Sequence, residues 1–240
     1  MFAYWMLHYR RIWRGTFVIS VLNPLLFLSG LGVGLGALVD RMDYVAFLAP
    51  GLLAAAMMQT AAVEAMRPVY RAVRGSYLAA AATPLGPGAI QRAHLSFQAF
   101  RIVTSGAAFV LVMVLFRVTG PARAAPLLAA SLLTGLAFAT PITAWAVGLD
   151  RPQALEALFR FGIMPMYMFS GTFFETDSLP DVPRWIVEAL PLWHGVELCR
   201  SLSLGTAAAG PAAIHVTYLC VLAGAGLVAG AHRYRRRLHA

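Results

Sequence analysis

The sequence predicts an all-α integral membrane protein with six transmembrane helices and both termini in the cytoplasm. Three observations predict it. The chain is 60% hydrophobic and only 12% charged, where a soluble domain runs at about 45–50% apolar and about 25% charged. It divides into apolar windows close to the roughly 20 residues that cross a hydrocarbon core of about 30 Å. Its 19 basic residues are all Arg, and they are unevenly distributed between the segments that join those windows.

Met1–Gly15 comes first and mixes Phe2, Trp5, Met6, Tyr9 and Trp13 with His8, Arg10, Arg11 and Arg14. That mixture suits a short helix in the inner interface, with its rings at headgroup depth and its arginines toward anionic lipid; a frayed basic tail is the plainer alternative. The first window, Thr16–Val39, is longer than a signal-peptide core and lacks an A-x-A-like end, so no cleaved signal is expected. Val45–Met66 follows, interrupted by Gln59 and Glu64, then Leu95–Phe116, uncharged after Arg101. The fourth window is Ala124–Leu149 and the fifth Leu155–Phe174, the latter shortened by Arg160 and Pro165. The sixth is Pro211–Ala231. Internal prolines at 24, 50, 141 and 165 are tolerable where neighbouring helices re-satisfy the backbone. With the N-terminus inside, fourteen arginines fall on the cytoplasmic side, clustered at 10–14, 67–101, 151–160 and 233–237. Only Arg41, Arg117, Arg123, Arg184 and Arg200 fall outside. Positive charge is retained inside, so both termini are assigned to the cytoplasm. The net charge of +9 is then topology, and no nucleic-acid partner is expected.

Catalytic chemistry finds little footing. With no lysine there is neither a P-loop lysine nor a Schiff-base lysine, and no zincin or nucleophile-elbow motif occurs. Cys199 and Cys220 are too far apart for a CxxC pair and are expected to be inert thiols. His194 and Glu197 share a helical spacing, but one such pair without a second is a poor metal site. Gly30-x-x-x-Gly34, Gly32-x-x-x-Gly36 and Gly226-x-x-x-Gly230 allow close helix approach, within the bundle or at a subunit interface. Glu64 is the one carboxylate inside a window. It has two readings: a group on a transport path, or a structural ion pair with Arg67 or Arg71 at helical spacing.

Two segments do not span. In the cytoplasmic loop 67–94, the run from Arg71 through Arg74, Gly75, Tyr77 and Leu78 reads as a helix that stops before Pro84 and Leu85. Such a small-residue helix with one aromatic is suited to a partner's groove. The outer segment 175–210 is too polar to cross but holds Trp185, Ile186, Leu190, Trp193 and Val196. Those spacings predict two short amphipathic helices, broken at Pro191, at the outer leaflet.

At these segments the chain resembles the membrane subunits of type-2 ABC exporters, and most nearly the lipo-oligosaccharide (nodulation-factor) and daunorubicin-type drug export permeases. Four stretches carry the resemblance: Tyr44-Val-Ala-Phe-Leu-Ala-Pro-Gly-Leu-Leu, Gly75-Ser-Tyr-Leu-Ala-Ala-Ala-Ala-Thr-Pro-Leu, Met168-Phe-Ser-Gly-Thr-Phe-Phe, and Leu190-Pro-Leu-Trp-His-Gly-Val-Glu-Leu-Cys-Arg. The chain departs from the pattern at Glu175, where family members often carry Pro, and in the alanine-rich second stretch. The resemblance implies one transmembrane domain that pairs with a second permease, identical or not. Two copies of a soluble ABC-type ATPase would dock on the cytoplasmic face through Arg71, Arg74, Gly75, Tyr77, Leu78, Pro84 and Leu85. This chain would bind no cofactor of its own, ATP and Mg belonging to the ATPase. Phe169, Gly171, Phe173, Phe174, Trp193, His194 and Glu197 would form an outer gate segment. The cargo implied is amphipathic, drug-like or linked to lipid or oligosaccharide. The alternatives are an ATP-independent membrane transporter, although the two halves show no matched interrupted helices, and a passive membrane assembly protein.

Overall fold

A computed structural model describes residues 41–73, 86–149, 151 and 153–239, together with Leu22, Leu25, Leu26, Ser29 and Gly30. The interfacial helix expected over 1–15, most of the first window and the loop residues Arg74–Leu85 lie outside the described residues.

Every regular element among the described residues is helical. Helix α1 is Arg41–Val73, α2 is Pro87–Leu115 and α3 is Ala124–Val147, entered through a 3-10 turn at Pro121–Arg123. Two short helices follow, α4 (Gln153–Leu158) and α5 (Met164–Phe169), joined without a break by a π turn at Phe159–Ile163. After a 3-10 turn at Thr176–Ser178 come α6 (Asp181–Glu188), α7 (Pro191–Leu204) and α8 (Ala209–His239). Four stretches among the described residues are long and apolar enough to cross a membrane: Tyr44–Met66, Pro87–Leu115, Pro121–Val147 and Ala209–Arg237. The helices outrun the apolar windows wherever polar residues continue the backbone. Thus α2 starts at Pro87, the N1 position where a missing N–H costs nothing, and α8 carries its arginines on to His239. The window 155–174 is not among the four. Its backbone is helical only to Phe169, with Arg160 exposed on the π turn.

The core is built on α3, which packs against α1, α2, α7 and α8. Small and hydroxylated side chains let it do so. Lipid offers no hydrophobic drive between helices, so close backbone approach and interhelical hydrogen bonds hold such bundles together. Thr134 and Ser131 are fully buried in α3, and a Cβ on Gly195 of α7 would lie 2.5 Å from the Thr134 methyl. The α3–α8 contact is closer still. A Cβ on Gly226 would lie 2.4 Å from the Pro141 nitrogen, and Thr140 Oγ1 donates to Ala223 O at 2.9 Å. The Gly226-x-x-x-Gly230 pair thus faces inward, with Gly230 against Gln91 and Ala144. Burial is uneven: 67% of the apolar window is covered in α1 and in α3, but only 11% in α8. Of the four spanning stretches among the described residues, α8 is therefore the most exposed, with Ile214, Val221 and Val228 on its surface.

Candidate functional site

Two nodes of buried polarity lie toward opposite ends of the bundle. Phe47 and Glu64, which mark them on α1, are about 25 Å apart at 1.5 Å per residue.

The first node is centred on Arg200. Helix α7 begins at Pro191 in the N1 position and ends at Gly205, whose φ of +77° is a left-handed cap. Between them α7 buries Leu192, Val196, Leu198 and Cys199 and carries Arg200 into the core at 7% exposure. Its guanidinium donates to Gly171 O at 2.7 Å and Phe47 O at 3.3 Å, pairs with Glu197 one turn earlier, and lies 3.9 Å over the Phe47 ring. Gly171, at φ +72°, adopts a conformation costly for any residue with a Cβ. It turns the chain just after α5 and presents the carbonyl that Arg200 holds. Burial pulls the Arg200 guanidinium below its ordinary pKa, and the Glu197 carboxylate opposes this. One side chain thus ties α1, α7 and the exit from α5.

Beside it, Trp193 Nε1 donates to Thr176 Oγ1 at 3.1 Å. His194 Nδ1 lies 2.9 Å from His215 Nδ1 on α8, a contact that needs one protonated and one bare nitrogen. The His194 ring stacks on Tyr218 at 3.9 Å, whose hydroxyl donates to Ala189 O at 2.9 Å. His194 is 7% exposed. Burial, with the His215 ring adding to it and Glu188 opposing, pushes its pKa down to about 4, so it is neutral at pH 7. Burial likewise pushes the Cys199 thiol up to about 12, against the neighbouring Arg200 charge, and keeps it from forming a nucleophile.

The second node pairs helices α1 and α2. Arg101 Nε donates to Glu64 Oε1 at 3.1 Å, and the two side chains are 13% and 3% exposed. The side chains of Arg67 and Arg71, the partners expected from helical spacing, lie outside the described residues. A polar seam continues across α2, α3 and α8. Gln98 Nε2 donates to Thr143 Oγ1 at 2.9 Å, and Gln91 Nε2 donates to Leu227 O at 3.0 Å.

Of the residues singled out for an outer gate, the structure brings Gly171, Trp193, His194 and Glu197 together around Arg200. Phe173 packs edge-on against Tyr167 at 5.1 Å, Phe174 is partly buried, and Phe169 stays 61% exposed, apart from the node. Arg71 lies in the last turn of α1; Arg74, Gly75, Tyr77, Leu78, Pro84 and Leu85 are outside the described residues. Sequence reasoning missed Arg200, Phe47, His215 and Tyr218 as members of the node, and Arg101 as the partner of Glu64. The signal for the last was available: Glu64 and Arg101 are opposite charges in adjacent apolar windows, and intramembrane charges pair with one another. Among the described residues no three His, Cys, Asp or Glu side chains converge as a metal site would require.

Four membrane-length helices, tied by buried charge near both ends, define a polytopic helical membrane protein. Comparison with known proteins specifies the kind. Residues 1–204 match the ABC-2 type transporter family. The chain is 33% identical over 233 residues to Nodulation protein J of Sinorhizobium fredii (strain NBRC 101917 / NGR234), an alignment covering 92% of this chain and 87% of that protein. It is 30% identical to Nodulation protein J of Rhizobium leguminosarum bv. viciae over 98% and 95% of the two chains. With Nodulation protein J of Bradyrhizobium diazoefficiens it shares 30% over 94% and 89%. This chain belongs to the ABC-2 type transporter family and is a transporter membrane subunit, a permease rather than an enzyme.

Proposed function

We propose that the chain is the permease of an ATP-driven exporter, moving an amphipathic, drug-like or lipid- or oligosaccharide-linked substrate out of the cytoplasm. Two copies of a separate ATPase subunit hydrolyse the ATP. The observation that carries this reading is the family match over residues 1–204; the absence of lysine, and so of a Walker motif, from these 240 residues supports a motor on another chain. The permease pairs with a second permease in the bacterial inner membrane, with six spans and both termini in the cytoplasm, as the arginine distribution supports. ATP and Mg belong to the partner. The loop around Tyr77 and Leu78 takes up the ATPase's motion and passes it along α1 from the Glu64–Arg101 pair to the Arg200 node. That node holds the α5 exit closed until the helices repack. Export follows when substrate affinity differs between inward- and outward-open packings.

The test is a pull-down with transport. Tagged wild-type chain, purified from its native membranes, is expected to bring down a P-loop ATPase. Tyr77→Asp with Leu78→Asp is expected to lose both the ATPase and export, while the chain still inserts. If wild type captures no ATPase, or if the double variant retains both capture and transport, the reading is wrong.

A further inference from the structure

We propose that the groove between α3 and α8 is a binding site for an anionic phospholipid, with one acyl chain lying along α8 and the phosphate held by Arg233. The groove has a volume of about 250 Å³ and is walled by Pro141, Ala144 and Trp145 on one side and by Ala225, Ala229 and Arg233 on the other. It opens sideways, because α8 buries only 11% of its apolar window, so in a bilayer hydrocarbon enters it directly. From Ala225 to Arg233 it follows α8 for about 12 Å at 1.5 Å per residue, the direction of an acyl chain beside a spanning helix. Ala225 and Ala229 are exposed along this face and leave the room.

The headgroup end is chemically distinct from the rest. Arg233 is exposed, and its guanidinium lies against the backbone of Gly148, where a Cβ would come within 2.5 Å of Nη1. Trp145 is half-buried on the groove wall, with the amphipathic ring that favours headgroup depth. Among the described residues that line the groove, none is acidic. A guanidinium presents a planar fork that matches phosphate oxygens, and the exposed Arg235 and Arg236 nearby deepen the positive potential. A phosphate with no compensating cation of its own fits this end better than a choline-bearing one.

The test uses the full-length chain in nanodiscs holding equal phosphatidylglycerol and phosphatidylcholine, with retained lipid counted by native mass spectrometry after mild delipidation. Wild type is expected to retain phosphatidylglycerol by roughly five-fold, the scale of one interfacial arginine. Arg233→Gln should abolish the preference, and Ala229→Leu, which fills the groove, should lower retention of both lipids. The paired control Arg235→Gln with Arg236→Gln should keep most of the preference. Equal retention of the two lipids by wild type overturns the proposal, as does a control that loses as much as Arg233→Gln. Disulfide trapping of two copies through Ala229→Cys in membranes would also overturn it, because a second chain would then cover the groove.

Discussion

Replacing Arg200 with Met tests whether one buried guanidinium holds the α5 exit to α1 and α7. Methionine has similar length and is well suited to a core, so the loss is the charge and its donors rather than volume. The hydrogen bond to Gly171 O at 2.7 Å is charge-assisted, about 1.5–3 kcal/mol. The stack over Phe47 at 3.9 Å adds about 0.5–2 kcal/mol. Relief of a desolvated charge returns part of this. The Glu197 side chain is 29% exposed, so water replaces its partner and the ion pair contributes under about 1 kcal/mol. The expected net loss is about 2–4 kcal/mol, which for a chain of this size lowers Tm by about 4–16 °C. Thermal unfolding of purified protein in mild detergent measures it. Arg200→Lys should fall between, because an ammonium keeps the charge but cannot fork to two carbonyls. In the cycle with Glu197→Gln, the two substitutions should couple by less than about 1 kcal/mol. A Tm change under about 2 °C for Arg200→Met would refute the carbonyl clamp. So would a Glu197→Gln variant that reproduces the whole loss, since the ion pair would then be what matters.

The same measurement distinguishes the glycines of α8. Gly226→Ala should destabilise by about 1–3 kcal/mol, because backbone of α3 stands where the methyl must go, whereas Gly224→Ala, with nothing within 4 Å, should stabilise by up to about 1 kcal/mol. His194 has a folded pKa of about 4, below its ordinary 6.5. Protons therefore favour the unfolded chain as pH falls through that interval, and stability should drop by about 1–3 kcal/mol between pH 6.5 and 4 and level off below; His194→Gln should flatten the drop, and an unchanged profile would refute the assignment. In intact membranes a maleimide should spare both cysteines, Cys199 because it is buried in the protein and Cys220 because it lies within the span of α8, where apolar surroundings suppress the thiolate; both should react once the protein is denatured in SDS, with peptide mapping as the readout.

What could be read from sequence depended on whether a residue's partner was local. Helices α1 and α3 were legible because their apolar windows, Val45–Met66 with only Gln59 and Glu64 inside it and Ala124–Leu149, nearly match the spanning stretches Tyr44–Met66 and Pro121–Val147. The start of α2 was not, because Gln91, Arg92 and His94 read as loop, yet Gln91 and His94 are buried. Arg200 was hidden for the opposite reason. An arginine in an amphipathic segment defaults to a solvated face, and only the turn at Gly171, 29 positions away in sequence, supplies the carbonyl that justifies its burial. Glu64 shows where a better rule lies. Helical spacing offered Arg67 and Arg71, but the partner found is Arg101 on the next helix. Consecutive spanning helices are antiparallel, so residues equally far from their shared end meet. Glu64 stands two residues before the close of Val45–Met66, and Arg101 six residues into Leu95–Phe116. The difference, about 6 Å at 1.5 Å per residue, is within the reach of an arginine side chain. Matching polar residues by depth from a common membrane face, rather than by spacing along one helix, would have found this pair. It would also have set His215, four residues into its window, beside an α7 histidine just outside the membrane.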